Sequence, residues 1–452
     1  MPSSLALLLC TVFILFLLRI DRRKAPEVSI FLWIPTVWML VVASRPLAAW
    51  FIDSPEVQLE AGSPLDRLFL FTVLGMGLLI LAAKNIDRTS GRRIDWFSLI
   101  KRNAWLMLFL TYTLVSILWS DIPFISLKRW SRELIAVIMA LILLTEPSPR
   151  RAFESLCRRT IYILVPFSLL LIKYFPDYGR QYGRWSGGVM WVGVTLQKNG
   201  LGRLCLISVF FLTWSLIRRK QGRDTHPAKY ENLADVFVLI LSIVLLKGPT
   251  LQAYSASAVG ALIGGLAVYI FLLNMKRRRG VLPIMPFATM IGTGIIFGLI
   301  TVFVGGSTVS SVTSSLGRDA TLTGRTEIWA DLLPVALQRP WAGHGFGGFW
   351  TTKARVIFDI SEAHSGYLDI LLGLGFIGLV LFSMFLVSTC RKAQNDLNKD
   401  FDWAVLIICF FLMAVIHNVA ETSFNSLANH ITAMCLFLAI SFSQTDRRSA
   451  KE

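Results

Sequence analysis

Apolar residues recur in blocks along the whole chain, each block nearly unbroken and separated from the next by a short polar segment. Blocks of this length suit helices crossing a hydrocarbon core of ~30 Å, whereas a barrel strand would alternate polar and apolar positions. The pattern predicts spans at 4–19, 28–44, 68–83, 104–119, 133–145, 160–173, 200–217, 234–247, 256–273, 283–304, 366–389, 403–417 and 430–443. The expected fold is an all-α polytopic integral membrane protein of about 12–13 transmembrane helices. One membrane domain is expected over 1–452. Leu5 to Leu18 lacks a charged region before it and a small-residue cleavage site after it, so the first segment is expected to remain as a span.

Composition agrees: 54% of the 452 residues are hydrophobic, and the mean hydropathy is +0.61. The net charge of +17 does not point to nucleic acid. Its lysines and arginines gather between spans, at Arg19 to Lys24, Lys84 to Arg102, Arg150 to Arg159, Arg218 to Lys229, Lys276 to Arg279, Arg391 to Lys399 and Arg447 to Lys451. All these clusters become cytoplasmic in one alternating path with the C-terminus inside and the N-terminus outside. Cys10, Cys157, Cys205, Cys390, Cys409 and Cys435 lie in or beside spans without metal-ligand spacing, which predicts reduced structural thiols.

That path leaves two long outer loops, 174–199 and 305–365. The larger carries Arg318, Arg325, Arg339, Lys353 and Arg355 against the positive-inside bias, and anion binding would explain them. Within it, Thr326 to Leu337 has helical spacing and Pro340 stops it. Gly343, Gly345, Gly347 and Gly348 predict a flexible turn interleaved with Phe346, Phe349 and Trp350.

Chemistry concentrates in the same loop. Arg325 precedes the short helix, where a forked cation beside free N–H groups suits phosphate or pyrophosphate; contact with lipid headgroups is the plainer alternative. His364, in Glu362-Ala363-His364-Ser365, can take a proton from a hydroxyl near neutral pH, with Glu362 or Asp319 to orient it. His344 in the glycine turn is a possible second ligand or base. His417 and Glu421, with Asn418, Asn425, Asn429 and His430 nearby, read as boundary hydrogen bonding. In the other loop, Tyr178 to Gly188 alternates aromatics with glycine and arginine, as a sugar-stacking surface or a membrane aromatic belt would. Arg184 and Lys198 add charge there, and Lys198 at the mouth of a span needs a partner. Ser255-Ala256-Ser257-Ala258 reads as helix packing.

Three segments carry a resemblance: Trp185-Ser186-Gly187-Gly188 through Gln197-Lys198-Asn199-Gly200-Leu201-Gly202; Leu316 to Trp329 with Arg339-Pro340 and Gly343-His344-Gly345; and Ala363-His364-Ser365-Gly366-Tyr367-Leu368-Asp369 with Gly375 and Gly378. On these motifs the chain resembles the O-antigen ligase and polymerase superfamily of bacterial envelope glycosyltransferases, within it the ExoQ-like exopolysaccharide polymerases. The resemblance implies a GT-C-like, multi-pass enzyme of the bacterial inner membrane with a periplasmic active site. It implies an undecaprenyl-pyrophosphate-linked oligosaccharide as substrate, membrane lipids as surroundings, and a chain-length regulator and export machinery as partners, with no metal and no cofactor. It assigns His364 as base and Arg325 as pyrophosphate ligand. Many relatives carry an arginine where this chain has Ser255-Ala256-Ser257-Ala258, and an Asn where it has Ser365. Arg184 or Lys198 is therefore expected to supply the second charge, with Arg318, Asp319, Glu362 and His344 completing the substrate site. A ligase passing a finished glycan to lipid A core or protein is the first alternative. A glycolipid transporter is the second, although no inverted repeat of the transporter kind is visible.

Overall fold

The computed structural model describes residues 1–51, 63–86, 94–182, 187–222, 229–250, 253–283, 286–304 and 324–442. Its helices are α1 (Ser3–Lys24), α2 (Trp33–Val42), α3 (Pro64–Ile86), α4 (Trp96–Arg102), α5 (Ala104–Val115), α6 (Pro123–Leu144), α7 (Pro149–Tyr174), α8 (Pro176–Gly179), α9 (Lys198–Lys220), α10 (Glu231–Lys247), α11 (Ala256–Arg279), α12 (Phe287–Phe303), α13 (Arg325–Ala336), α14 (Thr352–Phe358), α15 (Gly366–Asn395), α16 (Phe401–His417) and α17 (His430–Phe442). Every apolar block of the sequence falls on one of them. The chain is an all-α polytopic membrane protein: α1, α3, α7, α9, α11 and α15 are long and apolar enough to cross a bilayer. The 13-residue α17 rises only about 20 Å and is buried along its whole length by its neighbours.

α16 and α17 are buried along almost their whole length; α11, α12 and α15 pack on α16, and α6, α7 and α9 on α17. α1 and α3 expose Leu8, Leu15, Leu68, Phe71 and Leu79, an apolar surface that suits lipid. The segment between α7 and α9 contains a small antiparallel hairpin, β1 (Arg180–Tyr182) on β2 (Val189–Trp191), with Arg180 opposite Trp191. Arg45 fastens it, donating to the carbonyls of Tyr178, Gly193, Val194 and Thr195.

α15 is broken at Gly375, whose φ of 64° and ψ of −167° interrupt the helical ladder. The glycine turn fills the break. Phe376 N–H donates to Pro340 O at 2.8 Å and Ile377 N–H to Trp341 O at 3.2 Å, while His344 N–H donates to Leu372 O at 2.8 Å. A Cβ on Gly375 would come within 2.3 Å of the Trp341 carbonyl, and one on Gly343 within 2.5 Å of Gly373. These glycines permit backbone to lie on backbone. The turn expected to be flexible is a clamp on the broken helix.

At the end of the bundle where α1 and α9 finish and α10 begins, charges are buried in pairs. Arg159 Nε lies 2.7 Å from Asp21, and Arg158 lies 3.1 Å from Glu231 and 3.7 Å from Asp235. Arg219 pairs with Glu231 and Asp235, Lys24 with Glu231, and Arg218 grips Glu154 through two bonds of 2.7 and 3.2 Å. The basic clusters read from sequence as topology signals thus also tie α1, α7, α9 and α10 together.

Candidate active site

At the opposite end, where α9 starts and α16 stops, four separate stretches of chain converge. The first is α13. Gly324 enters it with φ of 83°, Arg325 is its first residue, and its end precedes Pro340 as the spacing predicted. Trp329, one turn after Arg325, is buried and donates its Nε1–H to Ala363 O at 2.9 Å. Residues four apart share a helix face, so seating Trp329 fixes where Arg325 points. Arg325 Nη2 donates to Glu421 Oε1 at 2.5 Å.

The second stretch, Glu362 to Gly366, holds His364. Asp369, in the first turn of α15, accepts from Ala363 N–H (3.2 and 3.3 Å), Trp350 Nε1 (2.7 Å) and Thr422 Oγ1 (2.5 Å). Gly366 N–H is shared between the carbonyls of Asn418 and Glu421, each at 3.0 Å, and a Cβ there would meet Asn418 Oδ1 at 2.1 Å. Held on both sides, His364 adopts φ of 50°, a left-handed conformation that costs roughly 1 kcal/mol for a residue with a Cβ. Its Nδ1 is 3.4 Å from Glu362 Oε1 without the alignment of a hydrogen bond, and is buried with no partner among the described residues.

The third and fourth stretches are the 418–429 loop and the start of α9. Asn418 Oδ1 accepts from Ser423 N–H and Phe424 N–H, which curls the loop and presents Glu421 inward. Besides Arg325, Glu421 Oε1 accepts from Asn199 Nδ2 at 2.6 Å and Ser257 Oγ at 3.4 Å. Arg203, one turn along α9 from Asn199, donates to Ser423 Oγ (2.7 Å) and Asn429 Oδ1 (2.8 Å). Gly202 lets α9 press against Ser255 of the following bundle, so the small residues before α11 do serve packing while Ser257 reaches the site. A cavity of about 220 Å³ opens here, with Gln197, Asn199, Arg203, Glu362, Glu421 and Asn429 on its walls.

Burial sets the protonation of these groups. It pushes the Glu362 carboxyl up to about 7, helped by the charges of Asp369 and Glu421. It pushes His364 down to about 4, with Arg325 adding to the fall. Burial also raises Glu421, opposed first by Arg325 and then by Arg203. The site therefore offers a neutral imidazole, a carboxyl that titrates near neutrality, and one carboxylate oxygen of Glu421 that takes hydrogen bonds from the Arg325 guanidinium, Asn199 and Ser257. Donors gathered on one anionic oxygen are what a phosphate oxygen requires. Ligand atoms of Glu362, His364 and Glu421 lie within 4.8 Å of one another and could hold a divalent cation. Arg325 already occupies Glu421 from that side, which favours an anion over a second cation in the same space.

Of the residues expected from sequence, Arg325, His364 and Glu362 come together. Lys198 is the first residue of α9, beside Asn199, and it is Asn199 and Arg203 that line the cavity. His344 stands apart, beside Phe349 at 5.3 Å and near Arg339 and Asp121, where burial lowers its pKa. Arg184, Arg318 and Asp319 lie outside the described residues. The reading of Glu421 as boundary hydrogen bonding was too modest, since it sits at the centre of the cluster. Sequence reasoning missed Arg203, although an arginine as the fourth residue of the apolar span 200–217 carries its own signal.

Comparison with known proteins agrees with the motifs. Residues 236–383 match the O-antigen ligase family, Wzy_C, a segment that holds Arg325, Glu362, His364 and the broken α15. The chain is also 24% identical over 311 residues to "Exopolysaccharide production protein ExoQ" of Rhizobium meliloti (strain 1021), covering 66% of this chain and 67% of that protein. The likeness to O-antigen ligases thus covers residues 236–383, and that to ExoQ about two thirds of the chain. Arg203 and Glu421 both fall outside the segment matched to the family.

Proposed function

We propose that this protein is a polysaccharide polymerase that joins undecaprenyl-pyrophosphate-linked oligosaccharide units at the periplasmic face of the bacterial inner membrane. The observation that carries the reading is the meeting of Arg325 and Glu421 beside His364, next to a cavity. Glu421 Oε1 marks where an anionic oxygen is welcome: the donor pyrophosphate takes the same guanidinium, with Arg203 from α9 as the second cation. Arg203 fills the part that sequence gave to Arg184 or Lys198.

In the reaction, the acceptor hydroxyl attacks the anomeric carbon of the donor sugar on the face opposite the pyrophosphate. The new C–O bond forms as the bond to the phosphate oxygen breaks, inverting the centre. The hydroxyl proton passes to His364, whose Nδ1 side faces Glu362. Pyrophosphate bound at Arg325 offsets the positive charge that depresses His364, and so raises its basicity when substrate is present. The leaving group departs with its charge held by Arg325 and Arg203. These residues supply acid–base and electrostatic catalysis, and the reaction needs no metal.

The test is the purified protein with a lipid-linked repeat unit and no other enzyme, in the presence of a chelator. A ladder of lengthened lipid-linked glycans is expected. Transfer only to lipid A core or protein would establish the ligase instead, which uses the same donor chemistry. Retention of unchanged substrate across the membrane without bond formation would establish transport.

A further inference from the structure

A second cavity, also of about 220 Å³, lies on the far side of the Asp369–Thr422 hydrogen bond from the first. Arg129 and Arg132 of α6 and Arg355 of α14 line it together with Phe346, Phe349 and Trp350 of the glycine turn. Two carboxylates, Glu133 and Asp369, also border it. Glu133 accepts from Ser426 Oγ and Leu427 N–H, each at 2.5 Å, and Asp369 accepts from Trp350, Ala363 and Thr422. Arg129 donates to the carbonyls of Gly347 and Trp350, which fixes the turn to α6. The cavity therefore sets three guanidinium groups against two carboxylates, with flat aromatic walls.

We propose that this cavity is a sugar subsite for a residue bearing a carboxylate, such as a uronic acid, in the glycan being joined. Aromatic faces stack on the ring, and guanidinium forks match a carboxylate in paired bonds. The subsite adjoins the reaction centre through Asp369, which holds both the Trp350 wall of this cavity and the Ala363 backbone next to His364. Placing the acidic sugar there would set the neighbouring unit against His364. The assignment rests on the transferase reading for its purpose, but binding can be measured without turnover.

The experiment uses the full chain in detergent micelles and measures binding of a disaccharide ending in glucuronate, its neutral glucose counterpart, and inorganic pyrophosphate. The acidic disaccharide is expected to bind about tenfold or more tightly than the neutral one. Arg355→Gln and the exposed Arg132→Gln should each weaken it about tenfold, with unchanged thermal unfolding, while Arg325→Ala should leave it intact. Equal binding of the two disaccharides overturns the proposal. Loss of pyrophosphate binding in Arg355→Gln, with no effect on the sugar acid, overturns it in favour of a phosphate site. Acid-selective binding by a protein that fails to elongate any lipid-linked unit would keep the subsite and remove the polymerase.

Discussion

Charge is buried at both ends of this helix bundle, to different ends. Around Arg158, the charges stand on the regular turns of α1, α7, α9 and α10, and each guanidinium meets carboxylates. Around Arg325, one carboxylate oxygen serves Arg325, Asn199 and Ser257, two carboxyls are pushed upward, and the imidazole beside them has an idle nitrogen. In the first group every guanidinium is ion-paired with a carboxylate of another helix, although Asp21 Oδ1, Arg158 Nε, Arg159 Nη1 and Arg219 Nε keep no hydrogen bond among the described residues, and the pairs fasten helices. The second is matched only in part, borders a cavity, and hangs on loops held by a few bonds. On the proposed function, the charge at this second end is what the substrate engages.

The sharpest break between the two ends is a pair of truncations. Arg325→Ala should lower glycan transfer about 10³-fold while the protein still folds, and Arg325→Lys should recover little because the fork is lost. Arg158→Ala should instead cost on the order of 3–5 kcal/mol of stability by leaving Glu231 and Asp235 short of a partner, seen as lost folded yield in detergent. Next in size, His364→Ala should slow transfer about 10²- to 10³-fold with donor binding retained. Arg203→Ala should have a smaller effect, roughly 10- to 100-fold, expressed in the affinity for the pyrophosphate-linked donor. If Arg203→Ala acts only on stability, α9 belongs with the fastened end and the second cation lies elsewhere.

The smallest effect is in pH dependence. His364 stays neutral down to about 4, so an acid limb with a midpoint near 7 belongs to Glu362, which gains its proton as pH falls through that value. Glu362→Gln should flatten that limb. The same carboxyl binds its proton more tightly folded than at its ordinary 4.5, so its contribution to stability declines as pH rises from about 4.5 through about 7. Glu362→Gln should therefore unfold at a higher temperature than the native protein at pH 8, while transferring more slowly.

Much of this was legible in sequence because it is local. Apolar blocks gave the helices, Pro340 and Gly324 bounded α13, and Arg325 and His364 stood out as polar groups in an apolar chain. What stayed hidden joins distant segments. Asn199 and Glu421 are 222 residues apart, and Arg325 and Glu421 are 96 apart. No periodicity reports such a meeting. Asp369 enters the sequence reading only as the last residue of the Ala363–Asp369 motif, yet it holds Ala363, Trp350 and Thr422 together. The glycine turn suggested freedom because composition cannot show that the broken α15 would lend it a surface to lie on.

The division between the two ends is tested most directly by measuring thermal unfolding and single-turnover transfer on one preparation each of Arg325→Ala and Arg158→Ala. The expected result is opposite signatures: Arg325→Ala unfolds near the native temperature with transfer nearly gone, and Arg158→Ala unfolds far lower with transfer per folded molecule retained. Loss of both properties together in Arg325→Ala, or native transfer by that variant, would contradict the claim that this end of the bundle holds its charge for substrate.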